Sequence, residues 1–395
     1  MTRQSLKVFI IFFSFAIVTI DADALENRKF TSPKVIECEN GSIVHIRANG
    51  KNDTLHRVYS STGSFVILTA VTSKQAELTV NCTNRAGSAY FDETPVYSYA
   101  LVFTKMYPFY DAEDVADVNA VPASNVITIP FHKMKWFPVQ VAVSNDNRSI
   151  SAEYSVRESK YFTNGTLRVK LTAFDSQNRA LVLPHLMHTV NSTEIKVILD
   201  DAPVTTDKSR FAVQILLMVA KNDSGFELEH SRSLDDEFTP GVFKFSQIKS
   251  AFVRVDKLGA FAQWKPIIYT TSDSVRQHTT VTEENAMKSY NVTAADEILV
   301  DSLANAFYGR QYRDTCARTI NVTFGAKADE FYSNTNYSSW TLSTGYGVPP
   351  QDQISTAIII VLVAGLGIPI LLLVVGGIYV FVKRSRQKDD LLLSD

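Results

Sequence analysis

From Ala357 to Val382 the chain carries no charged residue, and this run exceeds the roughly 20 residues needed to cross the hydrocarbon core of a bilayer. A soluble fold has no ordinary place for such a segment, so the rest of the chain must be read around it. Lys383, Arg384, Arg386 and Lys388 follow at once and mark the cytoplasmic side. At the other end, Arg3 and Lys7 precede an apolar stretch from Val8 through Ile20, closed by Ala22-Asp23-Ala24. That order is a secretory signal peptide with Leu25 as the mature N-terminus. An uncleaved anchor is the competing reading, but the run is short for a bilayer. The sequence therefore predicts a single-pass type I protein: signal 1–24, stalk 345–353, transmembrane helix 354–382 and cytoplasmic tail 383–395. Pro369 removes a backbone donor within the span, and Gly365, Gly367, Gly376 and Gly377 leave flat surface for a second helix. A homodimer is thus one arrangement the span permits.

Asparagine usage points to the same compartment. Asn40, Asn52, Asn81, Asn147, Asn164, Asn191, Asn222, Asn291, Asn321 and Asn336 each begin an N-x-S/T triplet without proline. Ten of the twenty asparagines do so, all on the luminal side, which predicts a surface dressed with glycans. Lys and Arg total 39 against 41 for Asp and Glu, so no basic footprint for nucleic acid exists, and the topology excludes that role as well.

Period-two alternation dominates the luminal region. In Thr166–Phe174, Leu167, Val169, Leu171 and Ala173 alternate with Thr166, Arg168, Lys170 and Thr172. Ile150–Arg157 does the same, and so do Ile195, Val197 and Leu199. Further strands are expected at Ile43–Ala48, Leu55–Ser60, Phe65–Val71, Glu77–Cys82, Val96–Lys105, Phe211–Ala220, Val242–Ile248, Ala262–Thr270 and Thr319–Gly325. Glycine turns such as Asn49-Gly50 and Thr62-Gly63 separate them. Helical periodicity is confined to Glu284–Ser289 and Ala294–Phe307. The expected class is all-β: two packed antiparallel sandwich-like domains, 25–200 and 201–344, divided at Asp200–Lys208, plus the terminal helix. Cys38 and Cys82 lie at strand ends in the first of these, and the secretory route permits their disulfide. Cys316 is left as a buried thiol or an intermolecular bridge.

Motifs with a mechanism are missing. There is no GxSxG, HExxH, phosphate loop or GxGxxG, so no catalytic residue, metal or cofactor is expected. His185 and His188 form an H-x-x-H without nearby partners and read as structural. Asp235-Asp236-Glu237 could hold calcium or act as paired carboxylates, but an acidic turn before Val242–Ile248 is the plainer reading. Trp264 could stack on a sugar; a core aromatic is the simpler role. The tail does carry an address: Asp389, Leu392 and Leu393 form D-x-x-L-L, which can dock into a sorting adaptor and direct the chain to endosomes or lysosomes.

Several blocks taken together resemble the glycosylated lysosomal membrane protein family. They are Val44–Ala48 with Asn52–His56, Ala100–Lys105, Ser233–Pro240, Gly259–Pro266, Asn321–Ala326 and Gly345–Pro350. The resemblance runs through most of the mature chain in order. It implies a non-catalytic accessory subunit that binds a lysosomal major-facilitator dipeptide transporter through its luminal domain and protects it from lysosomal proteases. Vertebrate relatives have a tyrosine-based tail signal and more luminal cysteines, with a counterpart only for Cys316, so sorting and disulfide layout do not carry over. A stand-alone receptor or ligand-binding ectodomain is the alternative, and a membrane-tethered hydrolase stands behind it.

Overall fold

A computed structural model describes residues 27–82, 88–156, 162, 165–220, 223, 225–235, 241–255, 258–293, 296–309, 314–351 and 356–392. The signal segment therefore lies outside the described residues. The chain ahead of the terminal helix forms two large antiparallel sheets. The first runs, in spatial order, through Gly41–Asn49, Thr54–Ser60, Phe65–Thr72, Tyr97–Tyr110, Ser209–Ala220, Thr315–Phe324 and Thr282–Glu284. The second runs through Gln140–Val143, Ser149–Val156, Thr166–Phe174, Ser192–Asp200, Tyr337–Tyr346, Ala260–Trp264, Gly241–Ser250 and Phe226–Asp235.

The alternation read in the sequence places the core. Leu167, Val169, Leu171 and Ala173 all face inward from Thr166–Phe174, and their neighbours face out. They meet Val44, Ile46, Leu101, Phe103, Val213 and Ile215 from the first sheet in one cluster that also takes in Trp340 and Leu342. The first sheet is covered on its other face too. Val58, Val66, Leu68, Val102 and Leu216 pack there against Leu299, Leu303 and Ala304. Leu303–Tyr308 is a short helix capped by Ser302, whose Oγ accepts from the Asn305 amide. Burial on both faces explains why Thr54–Ser60 and Phe65–Thr72 contain no exposed residue.

The class is all-β with one terminal apolar helix, as the sequence predicts; the division of the chain ahead of that helix differs. Tyr97–Tyr110 pairs with Ser209–Ala220, and Ser192–Asp200 pairs with Tyr337–Tyr346, so both halves share both sheets and one core. The polar, proline-bearing segment at Asp200–Lys208 leaves a strand of the second sheet and enters one of the first. It is an arch of a single sandwich, with the signals of a loop because it crosses between layers.

Two long strands, and short ones such as Gln140–Val143, are not announced by the alternation. Tyr337–Tyr346 (YSSWTLSTGY) is central and wholly buried, with Ser and Thr occupying its buried positions. Phe226–Asp235 is a charged edge strand of the second sheet. Glu284–Ser289, expected as helix, instead contributes two short strands, Thr282–Glu284 and Lys288–Ser289, both paired to Thr315–Phe324. Ala294–Phe307 yields only its last turns as helix. The turn at Thr62-Gly63 does need its glycine: φ is +64°, and a Cβ there would lie 2.6 Å from the Asp301 carbonyl oxygen.

The strand directions also fix which end of the sandwich meets the stalk. Tyr346 ends the last strand, its amide bonds the Asn191 carbonyl, and Gln263 Nε2 donates to the Pro350 carbonyl at 3.0 Å. The helix Thr356–Leu392 follows, and within it Val363–Arg384 is long and apolar enough to span a bilayer.

Candidate functional site

The surface, more than any cleft, carries the residues that the sequence singles out. Asn40, Asn52, Asn81, Asn147, Asn291 and Asn336 are exposed. They spread over both ends of the sandwich and the outer side of the first sheet. Asn321 is half-buried: its Oδ1 accepts from Gln214 Nε2 at 3.2 Å. Asn164 and Asn222 lie outside the described residues. Asn191 differs from all of these. It is buried, and its Oδ1 accepts from Arg28 Nε at 2.7 Å. The same guanidinium clamps Asp53 through both oxygens, at 2.7 and 2.8 Å, tying the N-terminal segment to the Asn49–Thr54 hairpin.

Cys38 and Cys82 form a disulfide with Cα atoms 5.7 Å apart. It closes 44 residues of sequence and ties the edge of the first sheet to the small Leu78–Asn81 and Ser88–Phe91 ribbon. Cys316 is half-buried and unbridged. Beside the disulfide opens a cavity of about 200 Å³ lined by Asn40, Ile43, Asn81 and Leu303. A second cavity, about 390 Å³, includes Asn321, Asn119 and Gln214. A third, also about 390 Å³, includes Asn40, His132 and Trp136. Each has a sequon asparagine in its wall.

The titratable groups that depart furthest from ordinary behaviour are built into the scaffold. His45 Nε2 and His56 Nδ1 lie 2.9 Å apart, and His56 Nε2 lies 2.9 Å from Thr72 Oγ1. A histidine relay ending on a hydroxyl resembles a nucleophile and its base in composition. Here His56 has no exposed surface, and Thr72 Oγ1 already donates to the Ser73 carbonyl. No substrate reaches it, and the chain of bonds serves to join three adjacent strands. Burial lowers His45 to about 4 and His56 to about 3.

His185 and His188 do not converge. Their Nδ1 atoms meet separate backbone carbonyls, Ala180 at 2.9 Å and Ser176 at 3.0 Å, and His188 stacks on Phe174 at 3.6 Å. Among the described residues no group of three His, Cys, Asp or Glu could hold a metal ion. Asp235 pairs with Gly241 at the end of an edge strand pair; Asp236 and Glu237 lie outside the described residues. Trp264 is a core residue, edge-on to Trp340 at 5.5 Å with its Nε1 donating to Glu284 at 2.8 Å. Asp389 and Leu392 fall on the last turns of the terminal helix, and Leu393 is beyond the described residues.

Two groups escaped the sequence reading. Arg57 is fully buried and reaches across the core to the Val190 and Ser192 carbonyls, at 2.5 and 3.3 Å. Glu194 points outward from the second sheet, and burial raises its carboxyl to about 7 against the pull of Lys196 and Lys170. Neither has a motif around it, since each depends on strands distant in sequence.

The family profile described as glycosylated lysosomal membrane protein matches residues 42–387. The glycosylated lysosomal membrane protein of Danio rerio is 29% identical over 358 residues, covering 88% of this chain and 85% of that protein. Its namesake in Homo sapiens is 27% identical over 360 residues, covering 88% and 86%. Among solved structures, a copper-containing benzylamine oxidase from Hansenula polymorpha aligns over 76% of this chain and 59% of its own, at 9% identity and a TM-score of 0.28. So slight a likeness carries no argument.

Proposed function

This chain belongs to the glycosylated lysosomal membrane protein family, and from that premise we propose that it is an accessory subunit of a multi-span lysosomal transporter. In this reading the luminal sandwich packs over the transporter's luminal loops and protects them from lysosomal proteases. The cargo is a dipeptide, as the resemblance implies. The observation that carries the proposal is the distribution of exposed sequons over a single, continuously packed β body. Proteases need an accessible, extended segment of backbone, and a sandwich whose strands are paired and whose cavities are rimmed by glycans offers few. Such a body resists proteolysis itself and shields what it covers. The orientation is type I, with the sandwich luminal and Lys383–Lys388 cytosolic.

The test is the half-life of the partner. Cells lacking this protein should lose a co-purifying multi-span transporter quickly, and protease inhibition should restore it. An unchanged half-life with active proteases would refute the proposal. Affinity purification in mild detergent separates the alternatives, because a receptor or a hydrolase would come without a stoichiometric multi-span partner. Delivery to the lysosome is assigned to Asp389, Leu392 and Leu393. Leu392→Ala with Leu393→Ala should send the chain to the cell surface, and unchanged location would remove that assignment.

A further inference from the structure

The sandwich is unequal at its membrane end. Four apolar side chains stand out from its stalk side: Val348 is 64% exposed, Leu258 57%, Val255 61% and Val96 76%. The contacts around them hold them at one place. The Gly347 amide bonds the Gly259 carbonyl at 2.8 Å, and a Cβ on Gly347 would lie 3.8 Å from Leu258 Cδ2. Val255 closes the turn after Phe252, whose ring is 6.1 Å from that of Tyr97, the neighbour of Val96. Tyr97 in turn accepts from the Ala260 amide at 2.8 Å, next to Gly259. Across the same end, the neighbouring hairpins present the exposed sequons Asn52 and Asn147, and the loop from Phe174 to Ser192 adds the exposed Leu181 and Val182.

The chain leaves from the apolar side. Pro350 is held to the body by Gln263, and five residue steps lead from Gln351 to Thr356, spanning at most about 18 Å when fully extended. The apolar run of the helix begins at Ala357 and continues to Val382, about 39 Å of helix against a hydrocarbon core of about 30 Å. Its first turn therefore reaches the luminal interface, and the tether keeps the body within reach of the headgroups. Exposed apolar groups in that position lose contact with water by entering the interfacial zone.

We infer that Val255, Leu258 and Val348, with Val96 beside them, form a foot that rests in the luminal leaflet and fixes the tilt of the sandwich on the bilayer. The occupant of this surface is lipid. The inference rests on the membrane span and type I orientation of the proposed function and not on the transporter.

Tryptophan depth-quenching tests it on the full-length chain reconstituted alone in lipid vesicles. Leu258→Trp and Val348→Trp each place a probe in the foot. Val281→Trp places one at the far end, where its carbonyl bonds the Gly325 amide and its side chain is 39% exposed. The native Trp136, Trp264 and Trp340 are buried in the body and give the baseline. Lipids brominated on their acyl chains should reduce emission at Leu258→Trp and Val348→Trp and leave Val281→Trp unchanged. Chain that incorporates but shows no added quenching at either foot position would overturn the inference. Equal quenching at all three positions would also overturn it, because the contact would then not be directional. Failure of the chain to incorporate at all would instead overturn the span on which it rests.

Discussion

Arg210 donates from Nε to Asp111 Oδ2 across 2.9 Å, with neither side chain exposed. The pair closes the far end of the sandwich. Asp111 also accepts from the Val115 and Ala116 amides, and Arg210 reaches Asp114, the Glu330 carbonyl and the face of Phe331. Removing Asp111 leaves the buried guanidinium only the partly exposed Asp114 as carboxylate and takes the acceptor from the Val115 and Ala116 amides, a cost of about 3 kcal/mol, at the lower end of what breaking a buried pair costs. Asp111→Ala should lower the unfolding free energy by about that much in denaturant titrations. A loss no larger than an ordinary surface substitution gives would show that the far end does not depend on the pair.

Asn191 is expected to be unglycosylated in the folded protein. A glycan on its amide nitrogen could not share the buried site with Arg28. Mass spectrometry of the purified chain should find Asn191 unmodified, while Asn40, Asn52, Asn81, Asn147, Asn291 and Asn336 carry glycans in at least a fraction of molecules. Asn191→Gln should leave electrophoretic mobility unchanged. A faster band would contradict this.

Acid should act on the fold in two opposing ways. Burial lowers His45 to about 4, His56 to about 3 and His188 to about 4, from an ordinary 6.5. Between about pH 4 and 6.5 the unfolded chain then binds more protons than the folded one, so stability falls as pH falls through that window. Glu194 has the opposite sign. Its carboxyl is raised to about 7 from 4.5, so the folded chain holds an extra proton between those values and stability falls as pH rises. Glu194→Gln removes the second contribution only. Relative to the parent it should raise Tm at pH 7.5 and change it little at pH 4.5. The same shift at both pH values would sink the assignment.

Replacing Cys38 and Cys82 together by serine frees a loop of 44 residues of sequence separation. The loop-entropy model sets the loss at about 4 kcal/mol. Cys316→Ser, which breaks no bridge, should cost far less in the same denaturation series. Equal losses would place the stability elsewhere.

Much of this molecule was open to inspection residue by residue. Leu167, Val169, Leu171 and Ala173 announce a strand because the two-residue period is local, and Ala357–Val382 announces a span because its length and lack of charge are local too. Cys38 and Cys82 could be paired because each sits at a predicted strand end in the same part of the chain and the secretory route permits the bridge. Tyr337–Tyr346 stayed hidden for the opposite reason. Its Ser and Thr are buried only because strands distant in the chain flank them: Ser192 pairs with Gly345, 153 residues further on, and Ala260 with Tyr346, 86 residues further on.

The sequence by itself determined which segment is long and apolar enough to cross a membrane and that the bulk of the chain is antiparallel β; each depends on composition and period within a short window. Only the tertiary structure decided that one sandwich exists in place of two, that Asn191 is sealed by Arg28, and that Val255, Leu258 and Val348 gather beside the stalk. Those are relations between segments far apart along the chain, created when two sheets close over a single core, and no local pattern encodes them.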